Sequence, residues 1–346
     1  MVYSGIYPAD GSKYNDLKDA LLGGNFSAAA HPILTLLPFG VGVVQWLSIH
    51  LHIKPLTDYF AHLMYRQYIN ESSVWGGGRP QFLFAEPSYI GMHLFGVLLP
   101  LMWLMRGRDH IYAKRLRNLI VVYAIGSVLM QAGTRIVLDS VVALLVAIIV
   151  HNSWCDKKQR VRGIAQLLGA VMLGLLGVLA DSRLSSIAEN GAEGDGSFFA
   201  RIYQSLDPIC GLLAHPWTVL TGYGSGNIIN AVWAGAKHAG RLLNGLGMNG
   251  SAAVGFATGM NADTVWTMCA YTSVVAEYGL IGLVLLVIAS IVSMTRVFDT
   301  AAAGHGVWSK TVICWLVLIV YLYIQCENYA FAALPLFIFA ASKLRK

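Results

Sequence analysis

The chain has 346 residues, of which 56% are hydrophobic and only 12% charged, and it carries a net charge of +6. Soluble domains carry about 25% charged residues, so the composition argues against a soluble enzyme and against disordered or collagen-like chains. It predicts an all-α, polytopic transmembrane helix bundle. The basic residues are clustered between apolar runs, which is the pattern that orients a membrane protein and not one that grips nucleic acid.

Met1 to Asn25 is polar and mixed in charge, without the apolar core of a signal peptide. A first apolar run, 33–51, approaches the roughly 20 residues a span needs. Leu51 to Pro87 is polar and holds Arg79 and Glu86. A second run, 88–105, leads to Arg106, Arg108, Lys114, Arg115 and Arg117. The stretch 118–150 is too long for one helix, and Gln131-Ala132-Gly133-Thr134-Arg135 breaks it, so a hairpin of two short helices is expected, 118–131 and 136–150. Lys157, Lys158, Arg160 and Arg162 follow, then a run at 163–180.

Asp181 to Asp263 is a long polar stretch rich in Gly, Ser and Asn, an unusual length for a connection without purpose. The run 264–294 is interrupted by Glu277 and predicts a short re-entrant helix followed by a span. Runs at 311–325 and 329–342 precede Lys343, Arg345 and Lys346. The three basic clusters belong inside. The first two must then be separated by an even number of spans, which the 118–150 hairpin provides. The expectation is a single membrane domain, 1–346, of about eight spans, with both termini cytoplasmic and 181–263 as a large extracytoplasmic loop.

Cys155, Cys210, Cys269, Cys314 and Cys326 are odd in number and form no C-x-x-C pair, so neither a disulfide framework nor a zinc site is expected. The ten histidines show no metal-binding spacing, and no metal or other cofactor is expected.

The candidate chemistry therefore lies outside. Gly222-Tyr223-Gly224-Ser225-Gly226-Asn227 can bring backbone N–H groups against an anion such as a phosphate, or it can be a flexible turn. Arg79, Arg135 and Arg201 are fixed cations suited to bidentate phosphate binding, or solvated side chains; Arg135 can also simply pair with Asp139 at i+4. Glu86, at the entry to a span, is either a general base or a carboxylate favoured by the helix dipole. Glu277 lies inside an apolar stretch, where a carboxylate is costly and marks either a site or a buried hydrogen-bonded group. His215, before Pro216, is a third candidate base, or a structural histidine.

Arg201, His215-Pro216, Gly222-Tyr223-Gly224-Ser225-Gly226 and Glu277-Tyr278-Gly279-Leu280-Ile281-Gly282 together resemble the O-antigen polymerase and ligase superfamily. Phe84-Ala85-Glu86-Pro87-Ser88 resembles the upstream segment of many polysaccharide polymerases, and Thr134-Arg135 resembles that family's Ser-Arg or Thr-Arg. These elements follow the family's order over 79–282. The resemblance implies a metal-independent glycosyltransferase of the bacterial cytoplasmic membrane, a Wzy-type polymerase of O-antigen, capsule or exopolysaccharide. Its substrate would be an oligosaccharide on undecaprenyl pyrophosphate, with a flippase and a chain-length regulator as partners. Arg79, Arg135 and Arg201 would hold the pyrophosphate, and Glu86, Glu277 or His215 would activate the acceptor hydroxyl. Met268-Cys269 stands where the ligase branch has His-Asn or a close variant, which favours polymerase over ligase. The family usually has more spans before the Glu-Pro-Ser element, so a compact or N-terminally truncated member is expected. The rival readings are a ligase, a transporter or flippase, and an assembly subunit with no site.

Overall fold

A computed structural model describes residues 30–64, 67–70, 77–105, 110–133, 135–180, 182–262, 265, 267, 269–302 and 307–324. The described residues are helical, with no strand among them. The expected run at 329–342, Cys326, Thr134, Arg106, Arg108, Met268 and the terminal basic cluster lie outside them. The chain divides into two compact units, residues 1–177 with 296–318 and 339–346, and residues 178–295 with 319–338.

The first unit begins with α1 (Ala30–His50) and α2 (Lys54–Leu63). At the end of α1, His52 takes a positive φ, the N–H of Ile53 bonds back to Ser48 and that of His52 to Ile49. This paired back-bonding satisfies carbonyls that the helix end would leave bare. After the ordered segment 77–87 come α3 (Ser88–His93), a π-helical turn (Leu94–Leu98) and α4 (Leu99–Met105). Pro100 has no N–H to give the Gly96 carbonyl four residues earlier. The Trp315 indole, from the last described helix, donates to that carbonyl at 3.1 Å.

The hairpin is α5 (His110–Leu129) and α6 (Arg135–His151). The break falls within the expected segment. Gln131 takes the left-handed conformation, Ala132 N–H bonds Ser127 and Gln131 N–H bonds Val128, the same helix-ending arrangement as at His52. The long α7 (Lys157–Ala180) is capped by Asp156, whose carboxylate accepts from Lys158 N–H. Gly174 and Gly177 of α7 face Val141 and Val137 of α6, and a methyl group at Gly177 would overlap Val137. Small residues at such a crossing let the backbones approach closely. The unit's core gathers Phe82, Ile90, Leu94, Phe95, Leu98, Tyr123, Ile136 and Leu318.

The second unit contains most of the expected outer loop, and there the polar stretch is helical. It folds as α8 (Ser182–Asn190), a 3-10 turn (Gly191–Gly194), α9 (Gly196–Ala214), α10 (Pro216–Thr221), α11 (Ile228–Gly245) and α12 (Gly250–Gly259). Asp195 caps α9 through Phe198 N–H and Asn249 caps α12 through Ala252 N–H, each satisfying an orphan donor of a first turn. Helices α9 and α11 touch backbone to backbone. A methyl group at Gly211 would strike the Ala231 carbonyl, and one at Gly235 the Asp207 carbonyl.

The run expected to be interrupted near Glu277 is α13 (Ala270–Ala302), and its interruption is Gly279, at φ 64° and ψ −168°. The last described helix is α14 (Val307–Ile324). Among the described residues two stretches are long and apolar enough to cross a membrane, Lys157–Gly177 and Ala270–Val292, and shorter apolar helices lie at Leu36–His50, Ser88–Trp103 and Ile313–Ile324.

Candidate functional site

In the first unit the candidate residues cluster around two adjoining helix starts. The segment before α3 is shaped by a fully buried glutamine, Gln45 of α1. Its Oε1 accepts from Gln81 N–H at 3.0 Å and Phe82 N–H at 2.8 Å, and its Nε2 donates to the Phe82 carbonyl at 2.9 Å. Phe82 is thereby held at φ 56°, with its ring in space that Gly42 leaves open. Gln81 extends the clamp, accepting from Tyr68 N–H and donating to the Phe84 carbonyl. Arg79 follows this path: its N–H bonds the Tyr68 carbonyl at 3.0 Å, and its guanidinium lies 5.5 Å from the Tyr68 ring centre.

Glu86 is half-buried and accepts from Ser88 Oγ at 3.0 Å. Pro87 packs against Gly133, two residues before Arg135, so the Glu86 and Arg135 segments meet. Arg135 is 7% exposed and its Nε lies 3.4 Å from Oδ2 of the fully buried Asp139. The carboxylate fits because Gly91 of α3 has no side chain; a methyl group there would collide with it. The i+4 pairing weighed from the sequence is present. A charge balanced in this way in a buried position is expensive to break.

In the second unit the glycine loop and the Glu277 segment interlock. Tyr223 N–H bonds the Ala276 carbonyl at 2.8 Å and Gly224 N–H bonds the Glu277 carbonyl at 2.9 Å. Gly226 N–H donates to Glu277 Oε1 at 2.9 Å, and Tyr278 OH donates to Ser225 Oγ at 3.1 Å. Gly222, at φ 72° and ψ −176°, lies against the Glu277 carbonyl, and Gly279 lies against the Leu220 carbonyl. Both backbones occupy a region that is essentially glycine-only. The loop is therefore latched, and the carboxyl group that meets its Gly226 N–H is the chain's own Glu277, 7% exposed.

Tyr223 also reaches back to α9, donating its hydroxyl to the Gly211 carbonyl at 2.9 Å, and its ring lies 6.2 Å from that of His215, which is exposed. Tyr223, Gly222, Gly224, Gly226, Glu277 and His215 are thus brought together. Arg201 is not. It sits ten residues before Gly211 on α9, about 15 Å along the axis at 1.5 Å per residue.

The sequence reading missed Gln204 and Asp207. They lie three and six residues after Arg201 on α9, and are 2% and 1% exposed. Among the described residues neither oxygen of the Asp207 carboxylate has a hydrogen-bond partner. One signal was available: Asp207 is the only acidic residue between Gly196 and Gly259. Burial pushes its carboxyl from 3.8 to about 7. The unfolded carboxyl ionises near 3.9. Between about pH 4 and pH 7 the folded chain therefore keeps a proton that the unfolded chain has lost, and stability falls as pH rises through that window. The deficit is complete above pH 7 and is at most about 4 kcal/mol. Asp207→Asn should flatten the dependence. Hydrogen exchange of α9 at pH 5 and pH 8 checks this: the native chain is expected to lose protection at pH 8 while the variant keeps it, and identical profiles would dismiss the effect.

Among the described residues no group of three or more His, Cys, Asp or Glu side chains is placed to hold a metal ion. No family model, curated protein or solved structure matches the chain.

Proposed function

We propose that the chain is a multi-pass protein of the bacterial cytoplasmic membrane that joins polysaccharide repeat units carried on undecaprenyl pyrophosphate, as a metal-independent glycosyltransferase acting at the outer face. One observation carries the reading. The glycine loop and the Glu-Tyr-Gly segment on which the family resemblance rests are 51 residues apart and meet through the Gly226 N–H to Glu277 bond. Joined recognition segments are what a site requires, since positioned groups supply most of the acceleration in a transfer between bound substrates.

The membrane placement draws support from side chains no protein covers. Val161, Ile164, Leu168, Val171, Met172, Leu175 and Leu176 are exposed on α7. Leu280, Ile281, Val284, Leu285, Ile288 and Ile291 are exposed on α13. Apolar surface of that extent requires a nonaqueous neighbour.

In this reading Arg135 and Arg79 of the first unit hold the diphosphate leaving group. Fixed cations lower the barrier because negative charge grows there in the transition state. In this reading Glu86 is the base. It is half-buried at a helix start, where one carboxylate oxygen accepts from Ser88 Oγ. Deleting the gene and sizing the surface glycan tests the activity. Single repeat units retained on lipid are expected. Long chains that fail to be attached would make the protein a ligase instead, and an unchanged glycan would remove both assignments.

A further inference from the structure

Helix α10 and the end of α9 expose an apolar face, Leu213, Trp217 and Leu220, and Trp217 is 81% exposed. A tryptophan this bare on a stable helix needs a partner, and the attachment of α10 indicates which one. Four hydrogen bonds tie the loop that follows it to Ala276, Glu277 and Tyr278, and the Leu220 carbonyl abuts Gly279. Immediately after Gly279, α13 becomes apolar on surfaces no protein covers, starting with Leu280 and Ile281. Whatever covers α13 begins there, and α10 is fastened within about one helical turn of that point, some 5 Å. The Leu213–Trp217–Leu220 face is thus continuous in position with the start of the bare α13 strip.

We infer that α10 is seated in the headgroup layer of a lipid bilayer, beside the point where α13 enters it, with Trp217 in contact with lipid. This rests on α13 being a span. Indole rings favour that layer because an apolar body meets the acyl chains while the ring N–H remains with water and headgroups. The polar neighbours agree with such a position: exposed His215 lies between Leu213 and Trp217 in the chain, and Ser225, in the loop after α10, carries the Tyr278 hydroxyl. The seat also places the glycine loop and Tyr223 at the depth occupied by the diphosphate of a lipid-linked sugar, so the substrate would be met at the membrane surface and not in bulk water.

The test uses the full chain and Trp217→Phe, which keeps an aromatic ring, both reconstituted in phosphatidylcholine vesicles. Acyl chains are brominated either near the headgroup or near the chain end, and the fluorescence difference between the two proteins isolates Trp217. Bromines near the headgroup are expected to quench most of that difference, and deep bromines far less. A difference signal untouched by either lipid but quenched by aqueous acrylamide would overturn the inference, and so would stronger quenching by the deep bromines. The remaining tryptophans separate the two levels. If they are quenched while the Trp217 signal is not, only the seat of α10 fails. If nothing is quenched and the protein washes off at alkaline pH, the span assignment fails first.

Discussion

Alanine at Gly279 is expected to abolish polymer formation and to destabilise the second unit by about 2–4 kcal/mol. The backbone region at Gly279 costs a residue with a side chain about 1–3 kcal/mol. The added methyl group would also press on the Leu220 carbonyl and the Gly222 nitrogen, which are backbone atoms that cannot swing aside. Gly222→Ala should behave alike, because the obstruction there is the Glu277 carbonyl. Gly226 is the internal control. It also has a positive φ, but nothing lies within 4 Å of the position a methyl group would take. Gly226→Ala should therefore cost only the conformational part and leave longer glycan than the other two. Chemical unfolding and a glycan ladder measure both effects. Equal ladders for the three variants would show that the latch plays no part in activity.

The second large effect concerns the buried pair at the start of α6. Arg135→Ala or Asp139→Ala alone should cost about 3–5 kcal/mol, since each removes one member of a buried ion pair. Replacing both with apolar residues of similar volume, Arg135→Met with Asp139→Leu, should recover most of that stability. The double variant then divides structure from chemistry. With Arg135 as a diphosphate ligand, it is stable and makes no polymer. Polymer of normal length from the double variant would leave Arg135 with a purely structural role.

Much of the architecture is legible in the sequence because apolar periodicity and chain breakers are local signals. The 118–150 stretch needed a break, and Gln131 supplies it by adopting the left-handed conformation within the polar segment that interrupts the run. The 264–294 run is interrupted in the sequence by Glu277, and in the structure the backbone leaves the helical region two residues later, at the glycine able to take the required angles. The polar stretch from 181 to 263 was harder to read. Its helices bury faces of alanine and glycine, such as Ala231, Gly235, Ala236 and Ala239 of α11, and small residues give a weak apolar signal.

The site was legible only in part, for a different reason. The sequence leaves the glycine loop as an anion receptor or a flexible turn, and Glu277 as a site or a buried hydrogen-bonded group, and nothing local says that each meets the other. Gln45 is less legible still. Its function depends on Gln81 and Phe82, more than thirty residues away, and a glutamine in an apolar helix carries no mark of which backbone it will serve. Asp207 stands between these cases: its solitude was visible, but its burial depends on the close approach of α9 and α11.

The Gly96 carbonyl ties the early part of the chain to its late part. Proline at position 100 leaves this acceptor to a donor 219 residues downstream. At about 5–20 residues per second of synthesis, the tryptophan that completes the helix is made roughly 10–45 s after the bend it serves. Until then the Gly96 oxygen lacks the indole that it bonds in the finished chain, so the bend at Leu94–Leu98 is first made without it. A nascent chain arrested before Val307 should accordingly show faster exchange around Gly96 than the finished protein, and the maturation of this protein is then timed by its own C-terminal portion.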